Sequence, residues 1–269
     1  MRPSEIWAIL DDLSVTPRKR RGQNFLTDDR VADREVGYAE ISTSDIVLEI
    51  GPGLGVLTER LIPRARKVIG IESDPGLCRY LRQRFGESLE LIEGDALKIV
   101  FPSFSKLVSN IPYGISSPLI FKLLDHRFET AVIMIQKEFA ERLVARPNTD
   151  GYSRLTVNAY YRARCEILEH VPSSRFWPEP EVDSSIVRLY PMPPPFEVAD
   201  EALFFALVDA LFQQRRKKIS TVLRSRGWIG KATHVPYGDL RVEALSPEQI
   251  GEVSNAVEII RTGDAGGGR

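Results

Sequence analysis

Between Asp45 and Gln136, short apolar runs alternate with stretches of helical periodicity, and this alternation limits the fold more than any other feature of the chain. IVLEI (46–50), KVIGIE (67–72), LELIEGD (89–95), KLVSN (106–110) and AVIMIQ (131–136) are nearly continuous in apolar residues, as strands covered on both faces are. Helices are expected between and after them, over 54–62, 75–85, 117–126 and 137–145. Leu77, Tyr80, Leu81 and Phe85 share one helical face, and Pro118 falls in a first turn, where its missing N–H is not needed. CEILEHV (165–171) and SSIVRLY (184–190) add two late strands. Alternating elements of this kind imply an α/β architecture with a mostly parallel, doubly wound sheet. Pro191-Met192-Pro193-Pro194-Pro195 is stiff and poor in donors, and the pattern beyond it is helical, with a start marked by Ser246, Pro247 and Gln249. Residues 1–190 are therefore expected to form one domain and 196–262 a small C-terminal helical domain, with GDAGGGR (263–269) as a disordered tail.

The first strand runs into Gly51-Pro52-Gly53-Leu54-Gly55. Ligands of open parallel sheets bind beyond the carboxyl ends of the strands, and glycines there let the backbone bend and come close to a ligand. The spacing is GxGxG, not the GxGxxG of a dinucleotide turn, and no GK[ST] follows. On its own such a turn is equally a structural one, and a carboxylate at a strand end is equally a solvated terminus. Here the turn is followed by Glu72 closing the second strand and by Asp95, with Ala96 beside it, closing the third. A carboxylate accepts two hydrogen bonds from the vicinal hydroxyls of a ribose, and a second can accept from an adenine amino group. A glycine turn with two successive carboxylates describes a pocket for adenosine without pyrophosphate, the chemistry of S-adenosyl-L-methionine.

The fourth strand ends on Asn110-Ile111-Pro112-Tyr113, at the same edge of the sheet. The amino nitrogen of adenine is a poor nucleophile, because its lone pair is delocalised into the ring. Two acceptors on its hydrogens, the Asn110 side-chain oxygen and the Ile111 carbonyl, favour a pyramidal nitrogen. Pro112 keeps Ile111 extended, and Tyr113 offers a flat face to a base. Catalysis of that kind rests on positioning and electrostatics, with no base of tuned pKa. The plain alternative is an Asn-Pro turn.

RRGQNFLTD (20–28), LEIGPGLGVLTERL (48–61), IESD (71–74), EGDAL (93–97), NIPYGISSPL (110–119) and SSRFWPEPEVDSSIVRL (173–189) together resemble the ribosomal RNA small-subunit adenine N6,N6-dimethyltransferases. LFQQRRKKISTVLRS (211–225) is similar to the start of that family's C-terminal domain. The resemblance spans roughly residues 18 to 228 in the right order. It implies a Rossmann-like, seven-stranded methyltransferase sheet, S-adenosylmethionine as donor, and dimethylation at N6 of two adjacent adenosines near the 3′ end of small-subunit rRNA. By motif, Asn24 and Leu26 would close over the methionine end of the donor, with Gln23 beside them. Gly51 and Gly53 would lie under it, Glu72 would bind its ribose, and Asp95 with Ala96 its adenine. Asn110 would touch donor and target, and Tyr113 and Phe176 would stack on the two faces of the target base. From the residues alone, Phe176 beside Trp177 reads as an ordinary core aromatic. Gly55 and Gly114 depart from the family pattern without removing a proposed chemical group.

A net charge of −1 over 269 residues means that any nucleic-acid contact must be a local patch. Arg18-Lys19-Arg20-Arg21 precedes the QNFL segment, and Arg215-Arg216-Lys217-Lys218 is expected in a helix with Arg224 and Arg226. Each cluster could be a solvated charge run; the position of the first, beside the site, favours RNA phosphate contact. The two cysteines lack CxxC spacing and the three histidines are scattered, so no metal site is expected. No apolar run approaches eighteen residues and the N-terminus is not signal-like, so a protein without membrane contact is expected, and the cysteines fit a reducing cytoplasm. The resemblance implies small-subunit rRNA or a pre-30S particle as partner, and a monomer is expected. A large-subunit methylase of the antibiotic-resistance type and a non-catalytic assembly factor are the competing readings.

Overall fold

A computed structural model describes residues 2–13 and 24–265. Gln23 and Arg18, Lys19, Arg20 and Arg21 lie outside the described residues. The chain begins with α1 (Pro3–Asp12), a two-residue strand β1 (Phe25–Leu26) and α2 (Asp29–Tyr38), which is started by Asp28 accepting from the Arg30 N–H at 2.9 Å. The alternating series follows: β2 (Ile46–Ile50), α3 (Thr58–Leu61), β3 (Lys67–Glu72), α4 (Pro75–Phe85), β4 (Glu90–Glu93), β5 (Lys106–Asn110), α5 (Ser116–Leu124), β6 (Thr130–Gln136) and α6 (Lys137–Leu143). Then come α7 (Arg154–Arg162), β7 (Ala163–Val171), β8 (Phe176–Trp177), β9 (Ser184–Pro191), α8 (Glu201–Gln213), α9 (Ile219–Ser225) and α10 (Pro247–Ala265).

Seven strands form one sheet in the order β4-β3-β2-β5-β6-β9-β7. The first five pair in parallel and β9 runs antiparallel to β6. The register sets Ile50 opposite Ile71, Glu72 opposite Glu93 and Asn110 opposite Met134. The residues that close these strands therefore stand along one edge. Because β9 runs the other way, its first residue, Ser184, pairs with Gln136 at the last residue of β6. Val47, Leu48, Val108, Val132, Ile133 and Ile186 are fully buried in the sheet, and each such side chain contributes roughly 1.5–3 kcal/mol of burial.

The chain divides into two compact units. One contains the residues up to Ala140 with Cys165–Pro191, the other Glu141–Arg164 with Met192 onward. A single cut at the proline stretch does not describe this, since α7 belongs with the C-terminal helices. The reason is its apolar face. Val157 and Tyr161 pack with Phe204, Leu207 and Leu211 of α8 in the helical core, and the hydroxyl of buried Tyr152 donates to the Leu245 carbonyl at 2.8 Å. Aromatic rings fill that core: Tyr161 lies 5.0 Å from Phe204 and 5.1 Å from Phe196, centroid to centroid. Ser246 and Gln249 exchange the two bonds of a capping box at the head of α10, which runs on to Ala265, three residues into the stretch expected to be disordered.

The helix expected over 54–62 shrinks to Thr58–Leu61. Positive φ at Gly51, Gly53 and Gly55 and a turn bond from the Gly55 N–H to the Pro52 carbonyl (2.9 Å) keep the chain out of helix before it. Among the described residues no helix is long and apolar enough to cross a membrane.

Candidate active site

The turn after β2 holds Gly51 at φ 68° and Gly53 at φ 61°. Both lie in the left-handed region that other residues avoid. A Cβ on Gly51 would reach to 3.6 Å from the Pro112 ring, and one on Gly53 to 3.4 Å from the Phe25 ring. Gly55, at φ 79°, answers the departure noted above, because a Cβ there would strike the Phe85 ring at 2.4 Å. Glu72 is tied to the turn. Its Oε2 accepts from the Gly53 N–H at 3.2 Å, and Oε1 accepts from the Ser73 and Asp74 N–H groups at 2.8 and 2.9 Å. Burial raises the Glu72 pKa, and these backbone donors pull against that rise without cancelling it. Asp95 stands two residues past β4. One oxygen accepts from the Leu97 N–H at 2.9 Å, and its side chain is 45% exposed, with Ala96 buried beside it.

The opposite wall is made of side chains. Asn110 ends β5, and the orientation of its amide that satisfies both ends sets Nδ2 on Glu35, 2.9 Å from Oε2 and 3.1 Å from Oε1. The Ile111 N–H donates to the Met134 carbonyl at 3.0 Å, which fixes the peptide before Pro112. Pro112 itself is extended at φ −56°, ψ 129°. The Tyr113 hydroxyl shares a 2.6 Å hydrogen bond with Ser184 Oγ. Phe176 enters through β8, which pairs antiparallel with β1 and sets Leu26 opposite Phe176 and Phe25 opposite Trp177. Phe25-Leu26 and Phe176-Trp177 are thus neighbours in space. Phe176 packs in a buried hydrophobic cluster and also lines the cavity.

These walls enclose a cavity of about 500 Å³. Asn24, Leu26, Gly51, Gly53, Glu72, Asp95, Ala96, Asn110, Ile111, Pro112, Tyr113 and Phe176 all line it. So do Phe25, Glu49 and Ser184, which the motifs did not single out. Glu49 is buried, accepts from the Thr58 hydroxyl at 2.6 Å, and is pushed up to about 8 mainly by burial, with the Glu72 charge adding to the rise. Among the described residues the lining holds three carboxyl groups and no Lys, Arg or His. A phosphate would find no cationic partner here, whereas a cationic nucleoside would find acceptors.

In the helical unit, the Arg215–Lys218 run is not helical, as the periodicity suggested, but forms the turn between α8 and α9. Arg215 is drawn away, with Nε on Glu243 at 2.8 Å and its two terminal nitrogens on the Asp150 and Thr149 carbonyls at 3.1 Å. Like charges three or four apart also disfavour helix. Lys218 pairs with Asp239 at 3.0 Å, and Arg216 and Lys217 are exposed.

The sequence matches the family model described as ribosomal RNA adenine dimethylase over residues 15–258. It is 46% identical over 251 residues to the probable ribosomal RNA small subunit methyltransferase A of Methanosarcina barkeri, covering 89% of this chain and 88% of that protein. The fold is similar to a crystal structure of a dimethyladenosine transferase from Plasmodium falciparum, with TM-score 0.73 and 33% identity, covering 89% of this chain and 98% of that one. It is also similar to the 23S rRNA methyltransferase ErmE, with TM-score 0.66 and 30% identity over 87% of this chain and all of that one. A matching family model over most of the length, a close relative over nine-tenths of it, and an acidic pocket facing an Asn-Ile-Pro-Tyr edge agree, and the chain belongs to the ribosomal RNA adenine dimethylase family of S-adenosylmethionine-dependent methyltransferases.

Proposed function

We propose that this protein transfers methyl groups from S-adenosylmethionine to N6 of two adjacent adenosines near the 3′ end of small-subunit rRNA, giving N6,N6-dimethyladenosines during small-subunit biogenesis. The observation that carries the reading is the meeting, in one cavity, of a pocket whose described lining has no cationic side chain and an edge that offers acceptors and flat rings.

The residues present fit the donor. Glycines at positive φ bring bare backbone to the cavity, and Glu72 is held by three N–H groups so that its carboxylate can take the ribose hydroxyls. Asp95 and Ala96 would receive the adenine, and Asn24 and Leu26 the methionine end, with Gln23 beside them in the chain. Glu49 gives that end an acidic floor, since a nearby cation favours the ionised carboxylate. Bound there, S-adenosylmethionine supplies a methyl group on a cationic sulfonium.

The chain's own task is then to present the amine. Asn110 Oδ1 and the Ile111 carbonyl accept the two amino hydrogens, which turns the nitrogen lone pair out of the ring. Tyr113 and Phe176 hold the base between them, a target base lifted out of its stack. Nothing on this wall needs to ionise, so positioning supplies most of the rate. Arg18, Lys19, Arg20, Arg21, Arg215, Arg216, Lys217 and Lys218 are read as the phosphate-binding positions. Of the second group, Arg216 and Lys217 are the best placed, being exposed. The substrate is taken to be a pre-30S particle, met in the cytoplasm by a monomer.

Incubation with labelled donor and each purified subunit, from cells lacking the modification, tests this. Label is expected on two adjacent adenosines of the small-subunit RNA. Label on the large subunit instead would make the protein a resistance-type methylase, and donor binding without transfer to either would make it an assembly factor.

A further inference from the structure

The buried face of α2 is Val31, Ala32, Glu35 and Val36. A carboxyl group with no exposure on an apolar stripe is costly unless it is partnered. α2 packs on β6, and β6 lies beside β5, with Met134 opposite Asn110. The helix therefore brings Glu35 to the residue that closes β5. There both its oxygens lie within hydrogen-bond distance of one group, the Asn110 amide nitrogen, at 2.9 and 3.1 Å.

We propose that Glu35 is a positioning residue that sets the amide of Asn110, holding its NH2 in the protein so that Oδ1 is the end presented to the target amine. The inference rests on the reading of Asn110 as an acceptor for that amine. An asparagine amide is nearly symmetric in shape, and its two ends differ only in whether they donate or accept. Turned over, it would set a donor against the donating hydrogens of the base. At the end away from Glu35 only donors face the amide, so the oxygen belongs there and the nitrogen on the carboxyl. Burial, and then the charges of Glu49 and Glu169, keep the Glu35 carboxyl well above the usual carboxylate range. A neutral carboxyl still accepts through its carbonyl oxygen. In either protonation state one of its oxygens can accept the amide N–H.

The test measures methyl transfer at saturating donor and RNA together with the Kd for S-adenosylmethionine and Tm. Glu35→Gln keeps a carbonyl acceptor and is expected within about threefold of the native rate. Glu35→Met, and Glu35→Leu as a second acceptor-free variant, are expected to lower the rate by roughly 10–100-fold, the loss of one buried hydrogen bond at a reacting group, with donor Kd unchanged within about twofold. In an Asn110→Ala background Glu35→Met should cost nothing further, because both changes remove the same acceptor. Native rates in folded, donor-binding Glu35→Met and Glu35→Leu would overturn the proposal while leaving Asn110 in place. Parallel loss of donor binding and rate would make Glu35 merely structural, as would multiplicative effects of the two changes. A native rate for Asn110→Ala alone would instead remove the acceptor reading of Asn110 and this inference with it.

Discussion

The two walls of the cavity are built differently. The donor wall is mostly backbone. Gly51 and Gly53 bare their peptide groups, and Glu72 is clamped by the N–H groups of Gly53, Ser73 and Asp74, all within residues 51–74. The acceptor wall is mostly side chains, each oriented by a partner distant in sequence: Asn110 by Glu35, and Tyr113 by Ser184. A wall set by backbone bonds is fixed as soon as the sheet forms. A wall set by side-chain pairs can be altered one residue at a time while the fold and the donor pocket stay intact. The kinetics of variants should therefore split along this line.

The largest expected effects lie at the two ends of the split. Asn110→Ala should lower methyl transfer at saturating substrates by at least about 100-fold and weaken donor binding far less than Glu72→Ala does, since most of what it removes acts on the amine. Glu72→Ala should do the opposite first, weakening donor binding by roughly 10–100-fold through the loss of a buried charge-assisted acceptor. Isothermal titration with the donor and single-turnover transfer on the same preparations check both. If Asn110→Ala loses donor affinity as much as Glu72→Ala does, the two walls are one unit and the comparison fails.

The same contrast explains what could be read from the sequence. The donor wall lies at strand ends, and continuous apolar runs locate strand ends well, so Gly51, Glu72, Asp95 and Asn110 could all be assigned to one edge before any coordinates. Glu35 could not. α2 reads DRVADREVGY, where a glutamate among charges looks solvated, and only packing against β6 buries it. Ser184 was hidden for a similar reason, because an antiparallel strand returning from far along the chain carries it to the β6 end. Phe25 could have been found from its place in the QNFL segment. The helical unit failed at two points by tertiary override: Arg215 is pulled from helix by Glu243, and α7 is drawn into the C-terminal core by Tyr161. Local periodicity contains neither fact.

A smaller effect separates the walls by pH. Glu49 is raised to about 8 on folding, chiefly by burial. A carboxyl raised in the folded state contributes stability that is full below the ordinary carboxylate range and lost as pH climbs to that value. The donor-free protein should therefore lose stability between about pH 5 and 8. Glu49→Gln should lose less, by an amount on the order of 3 kcal/mol at the alkaline end. Donor affinity should rise with pH over the same interval in the native protein, as a bound cation draws the proton off Glu49, and rise less steeply in Glu49→Gln, where only Glu72 is left to titrate. Thermal melts and donor titrations from pH 5 to 8.5 check both arms. A pH-independent difference between the two proteins would take Glu49 out of the donor wall.

The smallest effect belongs to the outer pair on the acceptor wall. The Tyr113 hydroxyl is bound to Ser184 Oγ at 2.6 Å, and burial is the main cause of its raised pKa, with the Ser184 bond opposing. Ser184 is buried but lines the cavity with Tyr113, so in Ser184→Ala a cavity water can take the place of the lost hydroxyl, and the ring keeps its packing. The expected cost is roughly 3–10-fold in transfer rate, from a ring held less firmly against the base, with donor Kd unaltered. Tyr113→Phe should show a similar loss, and the double variant no more than either alone, since the two groups serve one bond. Independent losses would mean that Ser184 works on something other than the ring, and the acceptor wall would then need a different account of how its outer face is held.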